Sequence, residues 1–149
     1  MKKLLLVNPV GRRSGYMLSR FSTFSPLNLA YVAAVTPPNW TVKIVDENFN
    51  KFKFEEADLV GITAFSSNIN RAYEIADIYR KQRIKVILGG IHASMMQDEA
   101  QQYVDTVIIG EIEGIWQMEI EPYLEEYFID RPNRIDEYRW QKIHGQIFK

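Results

Sequence analysis

Cysteine is absent from this chain of 149 residues. Disulfides, zinc ribbons, thiol nucleophiles and cysteine-held iron–sulfur clusters are therefore excluded within it. Histidine is scarce, with only His92 and His144, and there is no His-Glu-x-x-His pair of the kind a zinc hydrolase needs. Neither sign of charge is in excess: 18 Lys and Arg face 19 Asp and Glu, a net charge of −1. Nucleic acid and anionic membrane surfaces both call for a basic footprint, so neither is an expected partner. Long hydrophobic runs are missing too. The longest, Leu59 to Phe65, is far short of a membrane span. The opening Lys2-Lys3-Leu4-Leu5-Leu6-Val7 breaks at Asn8-Pro9, too early for the core of a signal peptide. A cytoplasmic protein is the expectation.

What is present suits one globular domain. Apolar residues make up 46% and charged residues 25%, which is enough apolar surface for one core. Short β-rich runs alternate with amphipathic stretches. Leu4 to Val7, Val42 to Val45, Leu59 to Phe65, Lys85 to Leu88 and Thr106 to Ile109 read as five strands. Continuous apolar runs such as the first are expected of strands buried on both faces. Between them, Ser25-Pro26 reads as a helix start, with Leu27, Ala30, Tyr31, Ala34 and Val35 as its inward stripe until Pro37-Pro38 stops it. Ser66, Ser67 and Asn68 can cap a second helix carrying Ile69, Ala72, Tyr73, Ala76 and Tyr79 or Arg80 at helical spacing. Residues 48–57 hold at most a turn of helix, a short helix begins near Ser94, and a last one runs from about Glu113 to Tyr127.

Strands alternating with helices predict an α/β fold, a three-layer, doubly wound parallel sheet in the flavodoxin-like order 2-1-3-4-5. The domain is expected over residues 1–127, with 128–149 as a linker or C-terminal extension. In such a sheet, ligands sit beyond the carboxyl ends of the strands. Those ends hold Asn8-Pro9-Val10-Gly11-Arg12-Arg13, Asp46-Glu47-Asn48, Thr63 with Phe65-Ser66-Ser67, Gly89-Gly90-Ile91-His92, and Gly110-Glu111-Ile112-Glu113. The loop from Asn8 to Ser25 is long for a compact domain, and such loops are often functional.

Several chemistries fail on spacing. Gly11 and Gly15 do not make the Gly-x-Gly-x-x-Gly of a dinucleotide site, and no Walker loop exists. A phospho-acceptor receiver would need an Asp where Thr63 stands. Ser66, His92 and Glu111 can be drawn as a triad, but no nucleophile-elbow motif supports it.

Four segments, taken in order, resemble a known family. They are Val60-Gly61-Ile62-Thr63, Asn68 to Ala76, Val86-Ile87-Leu88-Gly89-Gly90-Ile91-His92-Ala93-Ser94, and Val104 to Glu113. Together with Leu5-Leu6-Val7-Asn8-Pro9 and Pro26-Leu27-Asn28-Leu29-Ala30-Tyr31, they resemble the N-terminal cobalamin-binding domain of radical S-adenosylmethionine enzymes, methyltransferases and the magnesium-protoporphyrin monomethyl ester oxidative cyclase among them. The resemblance covers about residues 3–117 and is most specific in the Gly-Gly-x-His and Gly-Glu-x-Glu pair. It implies a corrin held over the strand ends, with its nucleotide tail running down beside the third and fourth strands. Gly89 and Gly90 then leave the slot open, and Thr63 stands where a hydroxyl bonds the tail's benzimidazole nitrogen. His92 either meets a corrin amide or braces its turn. Glu111 and Glu113 bond loop amides or face a catalytic domain, and neither is a metal ligand.

Two departures refine this. Many cobalamin domains carry Asp-x-His-x-x-Gly after the first strand, whose His binds cobalt from below. Here Asn8-Pro9-Val10-Gly11-Arg12-Arg13 has no histidine, which implies base-off cobalamin with its lower face near Val10, Gly11 and Arg12. The family's catalytic half also needs Cys-x-x-x-Cys-x-x-Cys, which this chain lacks. S-adenosylmethionine and a 4Fe-4S cluster would then belong to a radical SAM catalytic domain elsewhere in a longer chain, and this module would not be catalytic alone. Two rivals remain. One is a cofactor-free interaction module of the same fold, using Tyr138, Trp140 and Phe148. The other is a small flavin- or nucleotide-binding protein, with Arg12, Arg13 and Ser14 on phosphate.

Overall fold

The computed structural model describes residues 1–11, 26–110, 112, 116 and 120. Five strands are present: β1 (Lys2–Asn8), β2 (Trp40–Asp46), β3 (Leu59–Thr63), β4 (Lys85–Gly89) and β5 (Thr106–Val107). All pair in parallel, in the order β2-β1-β3-β4-β5. Helices α1 (Leu27–Val35), α2 (Ile69–Lys81), α3 (Ile91–Met95) and α4 (Gln97–Ala100) fill the connections. This is the expected doubly wound α/β architecture.

Period-two alternation along the strands divides the core. Leu5, Val7, Val60, Ile62, Val86 and Leu88 point to one face, where α2 covers them with Ala72, Ile75, Ala76 and Tyr79. Leu4, Leu6, Leu59 and Ile87 point to the other, against Leu29 and Val32 of α1 and against Trp116 and Ile120. The central strands are apolar in their middles, Leu4 to Val7, Leu59 to Ile62 and Val86 to Leu88, because both faces are covered there, and every residue of β3 is buried. β2 lies at the edge and is covered only in part: Trp40 and Val45 are buried on opposite faces, while Thr41, Lys43 and Ile44 are exposed.

Helix α2 follows its expected stripe. Helix α1 does not. Leu29 and Val32 are its buried residues, whereas Leu27 is 76% exposed and Tyr31 38%. The inward stripe assigned to Leu27, Ala30, Tyr31, Ala34 and Val35 is therefore corrected. Apart from Asn28 the helix is apolar on every side, so its sequence contains no unique stripe to read. Ser25, the expected cap, lies outside the described residues; Pro26 occupies the N-cap, and its carbonyl accepts from Leu29 and Ala30. The chain after β2 closes one hydrogen-bonded turn on the Asp46 carbonyl and forms no helix. The helix expected near Ser94 begins earlier, at Ile91, directly after Gly90.

On the α1 face the space above Leu6 is shared. A Cβ on Gly61 would lie 2.8 Å from Leu6 Cδ2. Gly61→Ala is expected to cost about 1–3 kcal/mol through overpacking. Combining it with Leu6→Val should cost less than the sum of the two, measured by denaturant unfolding of all three variants.

Candidate functional site

The register brings Asn8, Asp46 and Thr63 to one rim of the sheet. Asn8 stands opposite Asp46, Val7 opposite Ile62, and Thr63 opposite Gly89. Every strand ends here, so the chain must turn here, and polar side chains tie the turns together.

On the first side of the rim, Asn8 Nδ2 donates to Asp46 Oδ1 at 3.1 Å, and the Glu47 amide donates to the Asn8 carbonyl at 3.0 Å. Glu47 Oε2 accepts from the Val10 amide at 2.9 Å. Asn68 occupies the N-cap of α2, as expected, and its carbonyl accepts from the Ala72 amide at 3.1 Å, but its side chain makes no cap bond. Its Oδ1 accepts from the Phe65 amide at 2.8 Å, and its Nδ2 donates to the Pro9 carbonyl at 2.8 Å. The side chain thereby joins the loops that follow β1 and β3. Gly11 packs so tightly that a Cβ there would collide with the Ser67 carbonyl.

In the centre, Thr63 is buried, and its hydroxyl accepts from Asn28 Nδ2 at 2.7 Å. Asn28 Oδ1 accepts from the Leu29 amide at 3.0 Å, which fixes which end of the amide faces Thr63. Having accepted from Asn28, the Thr63 hydroxyl has its own proton to donate.

The two adjacent glycines differ in kind. Gly90 has φ +101° and ψ −179°, a region that essentially only glycine occupies. A Cβ on it would lie 2.7 Å from the Ala64 carbonyl oxygen and 3.1 Å from Thr63 Oγ1. Gly90 is therefore required by the protein's own backbone, which corrects the expectation that it keeps a slot open. Gly89 is different: among the described residues a Cβ there would meet only Ile108, at an ordinary contact distance of 3.9 Å. By alternation it shares the α1 face with Ile87. Gly89 and Thr63, paired in register, thus bring a residue without a side chain and a hydroxyl with a proton to donate to the same face at the rim.

On the far side, His92 is buried and its Nδ1 lies 3.0 Å from Ser66 Oγ. Its Nε2 lies 3.5 Å from Glu99 Oε1, an ion-pair distance without hydrogen-bond alignment. Glu99 Oε1 also accepts from the Tyr73 hydroxyl at 3.0 Å, and Tyr73 stacks on Tyr103 at 3.9 Å. Burial, followed by the bond to Glu99, raises the Tyr73 phenol above its ordinary range. His92 thus braces the β3–α2 turn against α4. Ser94 Oγ donates to the Gly90 carbonyl at 3.0 Å and accepts from the Gly110 amide at 2.9 Å, joining the ends of β4 and β5.

Asn8, Val10, Gly11, Thr63, Phe65, Ser66, Gly89, Gly90, His92 and Gly110 therefore lie on or beside one rim, as expected from the sequence. Arg12, Glu111 and Glu113 lie outside the described residues. Asn28, Glu47, Asn68, Arg71 and Glu99 were not singled out as site residues. Glu47 at a strand end was visible as a candidate, whereas nothing in the sequence pairs Arg71 with it. Among the described residues, no group of His, Asp and Glu is arranged to hold a metal ion, and no helix is long and apolar enough to cross a membrane.

Comparison with known proteins bears on this rim. The family described as "B12 binding domain" matches residues 13–117. Bacteriochlorophyllide d C-12(1)-methyltransferase of Chlorobaculum tepidum is 36% identical over 119 residues, 78% of this chain and 26% of that protein. Bacteriochlorophyllide d C-8(2)-methyltransferase of the same organism is 39% identical over 90 residues, 59% of this chain and 20% of that protein. An uncharacterized methyltransferase of Pyrococcus horikoshii is 29% identical over 125 residues, 74% of this chain and 27% of that protein. The chain thus spans between 20% and 27% of the length of these relatives. No solved structure matches it significantly.

The two glycines are separable by experiment. Gly90→Ala is expected to destabilise the fold by about 1–3 kcal/mol, since it forces a side chain into a glycine-only conformation. Gly89→Ala should change stability by less than about 1 kcal/mol, because its Cβ would stand at ordinary contact distance from Ile108. Denaturant midpoints of the two variants check this.

Proposed function

The chain belongs to the B12-binding domain family, and from that membership we propose that it holds cobalamin over the carboxyl rim of its sheet as the cofactor module of a longer enzyme. The observation that carries this reading is the missing side chain at Gly89, a gap one side chain wide at the rim, where among the described residues a Cβ would stand only in ordinary contact with Ile108, at 3.9 Å. Lower on the same face Leu4, Leu6, Leu59 and Ile87 fill the interior. A slender side arm ending in a nitrogen base suits such a gap, and a protein side chain there would fill it.

The residues present fit that group in chemistry as well as in shape. Thr63, held by Asn28, has a hydroxyl proton to offer a ring nitrogen. The clustered loop backbones after β1, β3 and β4 supply donors and acceptors for a disc fringed with amides. Bound cobalamin would supply a cobalt centre able to carry a methyl group or accept electrons. No histidine follows β1, so the lower face is base-off and rests near Val10, Gly11 and Arg12. Without a nitrogen donor below, low-coordinate cobalt is easier to reach, which favours methyl carrying over homolysis of an adenosyl bond.

The rest of the enzyme is proposed from the relatives. Their names describe methyltransferases, and this chain spans only 20% to 27% of their length. A radical SAM catalytic domain in the same longer chain, with S-adenosylmethionine and a 4Fe-4S cluster, would complete the reaction. The relatives' names favour methyl transfer over oxidative cyclisation.

Retention of cofactor through desalting tests the proposal. The purified chain mixed with hydroxocobalamin should keep about one equivalent, with a base-off spectrum. Gly89→Leu should lose retention at least tenfold while its denaturation midpoint stays close to that of the unmodified chain. Retention of flavin in place of cobalamin, no retained colour, or undiminished retention by Gly89→Leu would each overturn it.

A further inference from the structure

A charged clamp on the β2 side of the rim holds the loop that follows β1. Glu47, just beyond β2, has a side chain only 9% exposed. Its Oε2 accepts from the Val10 amide at 2.9 Å and from Arg71 Nε at 3.1 Å. Its Oε1 accepts from Arg71 Nη2 at 2.7 Å. Arg71 comes from α2, reaches Glu74 at 2.9 Å with its other nitrogen, and lies over the Phe52 ring at 5.7 Å. The bonds from Glu47 hold the guanidinium proton more firmly than usual, against the opposing effect of burial.

Burying a carboxylate and a guanidinium is costly, and such pairs are a poor way to stabilise a fold. Packing does not require this one: Val10 and Gly11 are half-buried, and water could satisfy a loop amide there. The clamp does achieve placement. Pro9 is held through its carbonyl by Asn68, Val10 through its amide by Glu47, and Gly11 by close contact with Ser67. Three consecutive residues are thus fixed from two sides, by Glu47 after β2 and by Ser67 and Asn68 after β3.

We propose that Glu47, clamped by Arg71, is a positioning residue for the cofactor, fixing the backbone of Val10 and Gly11 as the floor beneath the lower face of cobalamin. This rests on the cobalamin reading above and extends it to residues that do not touch the slot. The chemistry demands a carboxylate. Both oxygens face N–H donors, so an amide in its place turns an NH₂ toward Arg71 or toward Val10, whichever way it is flipped. It also demands the fork of arginine, because a lysine offers charge without two parallel donors.

Electron paramagnetic resonance of the chain loaded with cob(II)alamin tests this, since the spectrum reports what lies beneath cobalt. In Glu47→Gln the floor is freed, and the signal should move toward that of the base-off cofactor in water, with at least tenfold faster loss of cofactor on desalting. Arg71→Lys should fall between Glu47→Gln and the unmodified chain. Asp105→Asn is the control. It removes an anchor of similar kind, bonded to the Val86 amide and Lys85 at the opposite end of the sheet, and should leave signal and retention unchanged. If the unmodified chain retains cobalamin but Glu47→Gln and Arg71→Lys both keep its signal and retention, the clamp proposal is overturned alone. An equal change in Asp105→Asn would likewise reduce the clamp to a stabilising role and overturn it. If the unmodified chain retains no cobalamin, both proposals fall together.

Discussion

Side chains on a strand alternate between two faces, and four parallel pairings fix the register of that alternation across this sheet. Every feature of the rim follows from this constraint. It sends Leu5, Val7, Val60, Ile62, Val86 and Leu88 to α2, and Leu4, Leu6, Leu59 and Ile87 to α1. It also decides that Thr63 and Gly89, paired in register, end their strands on the α1 side, where Asn28 reaches the Thr63 hydroxyl. A slip of one residue would turn both toward α2.

The rim combines two kinds of rigidity. One is steric: Gly90 passes against Ala64, and Gly11 against Ser67, with no room for a side chain at either. The other is polar: Asn68, Glu47, His92 and Ser94 each bond across from one strand-end loop to another element. Both serve placement, because a loop tied through its backbone keeps its position when a ligand arrives. Gly89 is the exception in this set: among the described residues a side chain there would meet no close contact, which is why its place is read as the ligand's.

Much of this was legible in the sequence, for identifiable reasons. The strands β1, β3 and β4 carry continuous apolar runs, and α2 carries one clear stripe, so their existence followed from pattern, while the sheet order followed from the doubly wound class that suits a chain of this size. The rim residues followed from the rule that strands of an open parallel sheet end at the site. The inward stripe of α1 was not legible, because a helix apolar all round fits any stripe. Gly90 was not distinguishable from Gly89, since only the backbone angles separate a residue that needs glycine from one that leaves space. Arg71 and Glu47 stand on different elements, 24 residues apart, and no local pattern pairs such charges. Asn68 read as a cap because Asn before a helix usually is one; it stands at the cap, but its side chain bonds Phe65 and Pro9 instead.

Amide NMR of the isotopically labelled chain, with and without hydroxocobalamin, addresses the central claim most directly, because it locates the ligand residue by residue. The account predicts the largest shifts at Thr63, Gly89, Gly110 and the neighbouring strand-end amides, with Tyr79, Arg83 and Asp105 at the opposite end unmoved. Shifts centred on that opposite end or on the outer face of α2, or none at saturating cobalamin, would contradict it.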